Sequence, residues 1–213
     1  MKTDELVSLL AASATPVNPN TGARRLGVAL AWGGLGSALL MSVTFGVRSE
    51  LGALALLPMF WMKLAFTASL AVAGGFAVER LSRPGMRLGG VWVGLVAPVL
   101  LIWLVGLWAF ASAAPDQRQA LVFGLSWASC LLKITLVSLP VLIGIFWAMK
   151  GLAPTRLAPA GAAAGLLAGA VGAFVYAFHC PEIAAPFVGT WYLGGMAIPA
   201  LVGSLLGPRL LHW

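Results

Sequence analysis

Residues 158–178 read APAGAAAGLLAGAVGAFVYAF, twenty-one consecutive positions without a charged group, an amide or a histidine. About 20 apolar residues span the hydrocarbon core of a bilayer as a helix. Lipid offers no hydrogen-bond partner to a main chain, so such a run must satisfy its amides internally and be helical. Within it Gly161, Gly165 and Gly169 recur at every fourth position. Glycines at that spacing share one face and let a neighbouring backbone come close, so this span is expected to carry a packing seam.

Five further runs of the same kind occur at 26–46, 57–78, 91–111, 131–149 and 187–207. None shows the alternating ten-residue segments of a membrane β-barrel. The first run lacks a small-residue cleavage site after it and reads as a retained helix rather than a signal peptide. The expected fold class is therefore all-α, a polytopic membrane protein with six transmembrane helices. No internal repeat of the inverted-transporter type is visible. The polar residues 1–25 form a separate segment ahead of the six-helix domain, 26–213.

Composition agrees with this division. Of 213 residues, 61% are hydrophobic and 9% charged, against about 25% charged in a soluble domain. Mean hydropathy is +0.98. A chain of this length leaves too much surface exposed to hide that much apolar side chain in water. A soluble enzyme, a disordered regulator and a fibrous protein are excluded.

The net charge of +7 is spread between the apolar runs rather than gathered into a stripe, so direct nucleic-acid contact is not expected. Lys2, Arg24, Arg25, Arg80, Arg83, Arg87, Lys150, Arg156 and Arg209 all fall in connections on the side of the termini. Opposite them stand only Arg48 and Arg118. The positive-inside bias places both termini in the cytoplasm. Trp32, Trp92 and Trp147 near the inner ends, with Trp61, Trp108 and Trp191 near the outer ends, match an interfacial aromatic belt. The longest outer connection, 112–129, is broken at Pro115-Asp116. Its stretch 119–127 (QALVFGLSW) is expected to lie along the outer surface.

The means of catalysis are sparse. There are 6 acidic residues, 2 His and 2 Cys, with no HExxH, GxSxG, P-loop or CxxC. The chain is not expected to be an enzyme or to need a cofactor. Lys63 lies about 9 Å into the second span by helical rise. Snorkelling, pairing with an outer acid, and a gating or sensing role are all open to it. Lys133 is two residues into the fourth span.

The two cysteines are more informative. Helical rise puts Cys130 about 30 Å and Cys180 about 34 Å from the inner edge, hence both at the outer boundary and on different helices. Lys133, one turn from Cys130, is expected to favour its thiolate. His179 and Glu182 flank Cys180. A structural disulfide, a reactive redox pair, a soft-metal site formed by Cys130, Cys180 and His179, and thiols that never meet are all open at this point.

The N-terminal stretch 3–13 (TDELVSLLAAS) reads as a short helix. Thr3 stands at its cap, Asp4 and Glu5 in its first turn, and Leu6, Leu9 and Leu10 on one face, with Pro16 and Pro19 ending it. Eleven residues are too few for a stable isolated helix. Such a segment docks into a groove on a protein partner or lies on membrane lipid, and its negative charge favours the protein.

Taken together, several stretches resemble one known family. They are the opening Met-Lys-Thr-Asp-Glu-Leu, Phe60-Trp61-Met62-Lys63, Ser126-Trp127-Ala128-Ser129-Cys130 and His179-Cys180-Pro181-Glu182. Ala185-Pro186-Phe187, Trp191-Tyr192 and Gly207-Pro208-Arg209 continue the likeness. The chain resembles the NrsF-like negative regulators of extracytoplasmic-function sigma factors over essentially its whole length. The resemblance implies a membrane anti-sigma factor whose Cys130 and Cys180 sense oxidant or a thiol-reactive metal. It also implies a sigma factor held at the inner face and released on that signal. Reaction of the thiols would tie the fourth helix to the fifth, which share the short inner connector 150–156. The competing classes are a small transporter or channel using Lys63, and a thiol oxidoreductase, for which two cysteines are few.

Overall fold

The computed structural model describes residues 3–13 and 20–212. Lys2, and Pro16 and Pro19 as the stop of the N-terminal helix, lie outside the described residues. Among the described residues there is no strand. The helices are α1 (Thr3–Ser13), α2 (Thr21–Thr44), α3 (Leu51–Leu54), α4 (Pro58–Leu81) and α5 (Val91–Ser112). They continue as α6 (Pro115–Phe123), α7 (Trp127–Met149), α8 (Leu157–Tyr176), α9 (Ala185–Phe187) and α10 (Leu193–Leu210). A π-helical turn, Val188–Tyr192, joins α9 to α10. Six helical stretches are long and apolar enough to cross a membrane, as the six runs require.

Local chemistry sets several boundaries. Pro58 and Pro115 open α4 and α6 in the first turn, where the missing N–H has no helical partner to lose. Two starts come four or five residues earlier than the apolar runs. α2 begins at Thr21, so the boundary between residues 1–25 and the helical domain falls inside it. Arg25 lies in that first stretch, with its guanidinium 4.9 Å over the Trp147 ring and donating to the Trp147 carbonyl at 3.3 Å. α7 begins at Trp127 and takes Cys130 into its first turn.

α8 is the axis of the bundle and packs on α10, α4 and α7. Two-thirds (67%) of its apolar window is buried, against 11% for α5, which stands at the periphery. The glycine seam expected on α8 is present. A Cβ on Gly169 would lie 2.8 Å from Met196 Cα, and Gly161 and Gly165 meet the main chain of Gly203 and Pro199. α10 answers with Gly203 and Gly207, which meet the carbonyls of Gly161 and Leu157. On the other side Gly33 of α2 crosses α7 at Val141, beside Pro140. Pro140 deprives the preceding turn of a helical donor. The buried Ser37 hydroxyl donates to the Val137 carbonyl there, at 2.6 Å.

Trp32, Trp61, Trp92, Trp108 and Trp147 are all more than half exposed, the outward orientation that a belt requires. Trp191 departs from it. Its ring packs on Trp127 at 4.9 Å and Phe123 at 5.8 Å, and its Nε1 donates to the Val122 carbonyl at 2.7 Å. Stretch 119–127 is thus the second half of α6, clamped through its C-terminal end onto the bundle, then a sharp turn and the first residue of α7. Gly124 makes that turn at φ +53°, a conformation that L side chains rarely adopt.

Candidate functional site

The connection 177–184 leaves α8 at one end of the bundle and returns to α9. Cys180 N–H still donates to the Tyr176 carbonyl at 3.0 Å, and Pro181 then ends any helical continuation. This places Cys180 over the first turn of α7, where Cys130 lies. The thiols come together: both are buried and free, and the Cys130 S–H donates to the Cys180 sulfur. The Cys180 thiol is held below the ordinary thiol value. The hydrogen bond it accepts from Cys130 lowers it most, the charge of Lys63 lowers it further, and burial opposes both.

The cation at the thiols is Lys63, not Lys133. Lys63 does not snorkel; its side chain is fully buried. Its Nζ donates to the carbonyls of Cys180 at 3.1 Å and Glu182 at 2.8 Å, and lies 5.0 Å from the Tyr192 ring centroid. Lys133 points elsewhere. Its Nζ lies 3.2 Å from His179 Nε2 and 5.0 Å from the Phe45 ring centroid. His179 Nδ1 faces the Gly46 carbonyl at 3.0 Å, which only accepts, so Nδ1 carries the proton and Nε2 accepts from Lys133. That lone pair is turned to Lys133 rather than to the two sulfurs. Among the described residues no group of three metal-ligating side chains forms.

Glu182 braces the other side. Its carboxylate accepts the Leu125 N–H at 2.8 Å. A Cβ on Gly124 would lie 2.6 Å from the Glu182 carboxyl carbon, so this seat needs glycine twice over, for space and for φ. The Arg48 N–H donates to the Phe178 carbonyl at 3.4 Å, and its guanidinium pairs with Glu50 at 2.9 Å.

Two residues at the site were not read from the sequence. Tyr176 and Tyr192 are the chain's only tyrosines, and both are fully buried here, their rings 6.0 Å apart. The Tyr192 hydroxyl has no nitrogen or oxygen partner and lies against the Cys180 sulfur. The π turn is what aims it inward: an extra residue in one turn rotates the rest of the helix by about 100°. Carbonyls at that turn find other donors, Pro186 from the Thr190 hydroxyl at 2.8 Å and Gly189 from Trp103 Nε1 at 2.9 Å. The one available signal was the rarity of tyrosine, with both copies at the ends of spans that also carry the thiol site.

Lys63, sealed by these contacts, is closed off from the surface. The large groove in the structure, about 940 Å³ between α4 and α5, is lined almost wholly by apolar side chains, with Arg80 at one end.

At the far end of the sequence α1 carries Asp4 and Glu5 in its first turn. It leaves Leu6 43%, Leu9 61% and Leu10 62% exposed. Six crossings return the chain to the side from which α2 set out, so the 82–90 and 150–156 connections share the end where α2 begins. The thiol site lies at the other end.

Comparison with known proteins identifies a family. No solved structure matches the chain. A "Probable anti-sigma-F factor NrsF" of Azospira oryzae is 49% identical over 213 residues, covering all of both chains. An "Anti-sigma-F factor NrsF" of Caulobacter vibrioides is 39% identical over 215 residues, again covering all of both. The model of the family described as "Negative regulator of sigma F" matches residues 10–213. A match over nearly the whole chain, with two full-length relatives of that description, leads to one assignment: the chain belongs to the NrsF family, the negative regulators of sigma F.

Proposed function

We propose that this chain is a multi-pass inner-membrane anti-sigma factor with both termini in the cytoplasm. Its N-terminal segment, residues 1–25 with Asp4, Glu5, Leu6, Leu9 and Leu10, holds a sigma factor of the extracytoplasmic-function type. The six-helix domain, 26–213, reports the state of Cys130 and Cys180 on the outer side, and reaction with an oxidant or a thiol-reactive metal releases the partner. The chain carries out no catalysis, contacts no nucleic acid directly, and rests in lipid.

The observation that carries this reading is the pairing of Cys130 and Cys180 at the end of the bundle opposite the loops rich in Lys and Arg. The setting suits reactive thiols. Lys63 sets a positive charge beside the Cys180 thiol, which favours its thiolate. Both sulfurs are shielded from bulk solvent, which excludes large reagents. Lys133 supports the site through His179, and Glu182 through Leu125.

Two experiments test the proposal. Cys130→Ser and Cys180→Ser should each retain sigma-factor binding and lose release on challenge, a change of more than about tenfold in the released fraction for a switch of ordinary size. A normal response from either variant removes the thiol pair from the mechanism. Reporter fusions after residue 25, within 82–90 and at the C-terminus should read as cytoplasmic, and fusions near Asp116 and Glu182 as external. An inverted pattern would place the thiols in a reducing compartment and remove the reason for sensing there.

A further inference from the structure

Lys63 belongs to α4, yet both of its hydrogen bonds go to the connection that carries Cys180. A fully buried ammonium holding two carbonyls on either side of Pro181 is a costly arrangement in a low-dielectric interior unless those bonds are kept. No ion pair to a carboxylate relieves it among the described residues, where the ion pairs are Arg48–Glu50 and Arg83–Glu79. The bond to the Cys180 carbonyl, at 3.1 Å, is near the long end of the ordinary range, while that to Glu182, at 2.8 Å, is not.

We propose that Lys63 is the positioning residue that joins the thiol pair to α4, so that bond formation between Cys130 and Cys180 is felt at the 82–90 connection on the opposite end of the bundle. The inference rests on the reading of the thiol pair as the responsive site and adds the element that transmits its state. A hydroperoxide takes two electrons and two protons from the two thiols, giving one disulfide, one alcohol and one water. The sulfurs then close from non-covalent contact to about 2.05 Å. Cys180 is drawn toward α7 and its carbonyl away from Lys63, which breaks the longer of the two hydrogen bonds.

α4 runs seventeen residues from Lys63 to Arg80, about 26 Å of helix at 1.5 Å per residue. There Arg80 Nη1 donates to the Leu88 carbonyl at 3.1 Å, and Arg83 pairs with Glu79 at 2.7 Å. The Gly85 N–H reaches the Thr155 hydroxyl at 3.4 Å, linking this connection to 150–156. A shift of α4 therefore moves both inner connections, beginning with 82–90.

The test uses the full chain in liposomes with its sigma factor bound and tert-butyl hydroperoxide as oxidant. Disulfide formation is read by mass after maleimide capture in denaturant, backbone response by hydrogen exchange, and release by sedimentation. Wild type should form the disulfide, exchange faster at 82–90 and release its partner. Lys63→Met fills the same space and removes a buried charge, so it should fold; it loses the cation that favours the Cys180 thiolate and forms the disulfide more slowly, so it is compared with wild type at equal disulfide content. Its exchange response and its release should fall about tenfold. Lys63→Arg, which restores the donors, should recover at least half of both. Oxidised Lys63→Met that transmits like wild type overturns the proposal, as does an Arg variant no better than Met. If Lys63→Met fails to accumulate, oxidised wild type still decides: exchange rising at 150–156 with none at 82–90 rules α4 out. Wild type that releases its partner without any disulfide, or forms one without release, marks instead the failure of the thiol-sensing reading.

Discussion

Gly165→Leu should prevent assembly of the bundle, with membrane abundance falling to a small fraction of wild type. The first atom of any side chain at this position would meet the Pro199 carbonyl and lie 2.7 Å from Ala200 Cα. These are main-chain atoms of α10, so no rotamer change relieves the clash and the helices have to separate. Overpacking of a core costs about 1–3 kcal/mol where side chains can yield. Here the seam itself opens, and in lipid close backbone contact is much of what holds helices together. A loss of about 3 kcal/mol or more is expected, a large share of the 5–15 kcal/mol typical of folded proteins. Gly34→Ala and Gly75→Ala provide the contrast, because a Cβ there meets nothing within 4 Å. Both should fall within about 0.5 kcal/mol of wild type or gain slightly, since alanine restricts the unfolded chain. Melting in detergent and quantitative blotting of membranes would check this. Equal abundance of Gly165→Leu and Gly34→Ala would show that the α8–α10 approach is not needed for folding.

Leu6→Asp combined with Leu10→Asp should release the sigma factor without any oxidant. Both side chains are exposed on α1, 43% and 62%, so neither is needed for the core. Burying one leucine against a partner is worth about 1.5–3 kcal/mol. Losing two weakens binding by about 100- to 10,000-fold at 1.4 kcal/mol per tenfold. Leu6, Leu9 and Leu10 lie within about 100° of one another on a helix of 3.6 residues per turn. Ser8 lies on the far side, so Ser8→Asp is the matched control for added charge and should bind normally. Pull-down from membranes with equal amounts of each variant reads the outcome. Wild-type retention by the double variant would move the docking surface to the basic connection at 82–90.

The six-helix architecture was legible because lipid leaves a chain few options. Uncharged runs of about 20 residues must be helices, and those runs can be counted without knowing how they pack. Gly161, Gly165 and Gly169 were legible for a related reason: every fourth residue shares a face whatever the neighbour turns out to be. The identity of that neighbour was not. Gly203 and Gly207 complete the seam from a helix more than thirty residues on, and only the assembled bundle pairs them. The meeting of the cysteines was half legible. Helical rise fixes depth along the membrane normal, and both thiols did come out at one level. Rise says nothing about azimuth, so whether they would face each other stayed open.

Azimuth also explains where residue spacing misled. Lys133 is one turn from Cys130, yet its side chain leans to His179 and Phe45, while Lys63, sixty-seven positions before Cys130, closes over Cys180. Nor did any period in the sequence announce the π turn at Val188–Tyr192, which aims Tyr192 into the site and turns Trp191 onto α6. The amino-acid order by itself determined the number of helices long enough to span, the common level of the two thiols along them and the exposed leucine face of α1, because each follows from local hydropathy and helical geometry. The tertiary structure alone decided which cation serves the thiols, which helix receives the glycine seam and which ring lies against Cys180. Those choices depend on rotation about each helix axis, and that rotation is set by the fit of neighbouring helices rather than by any one segment.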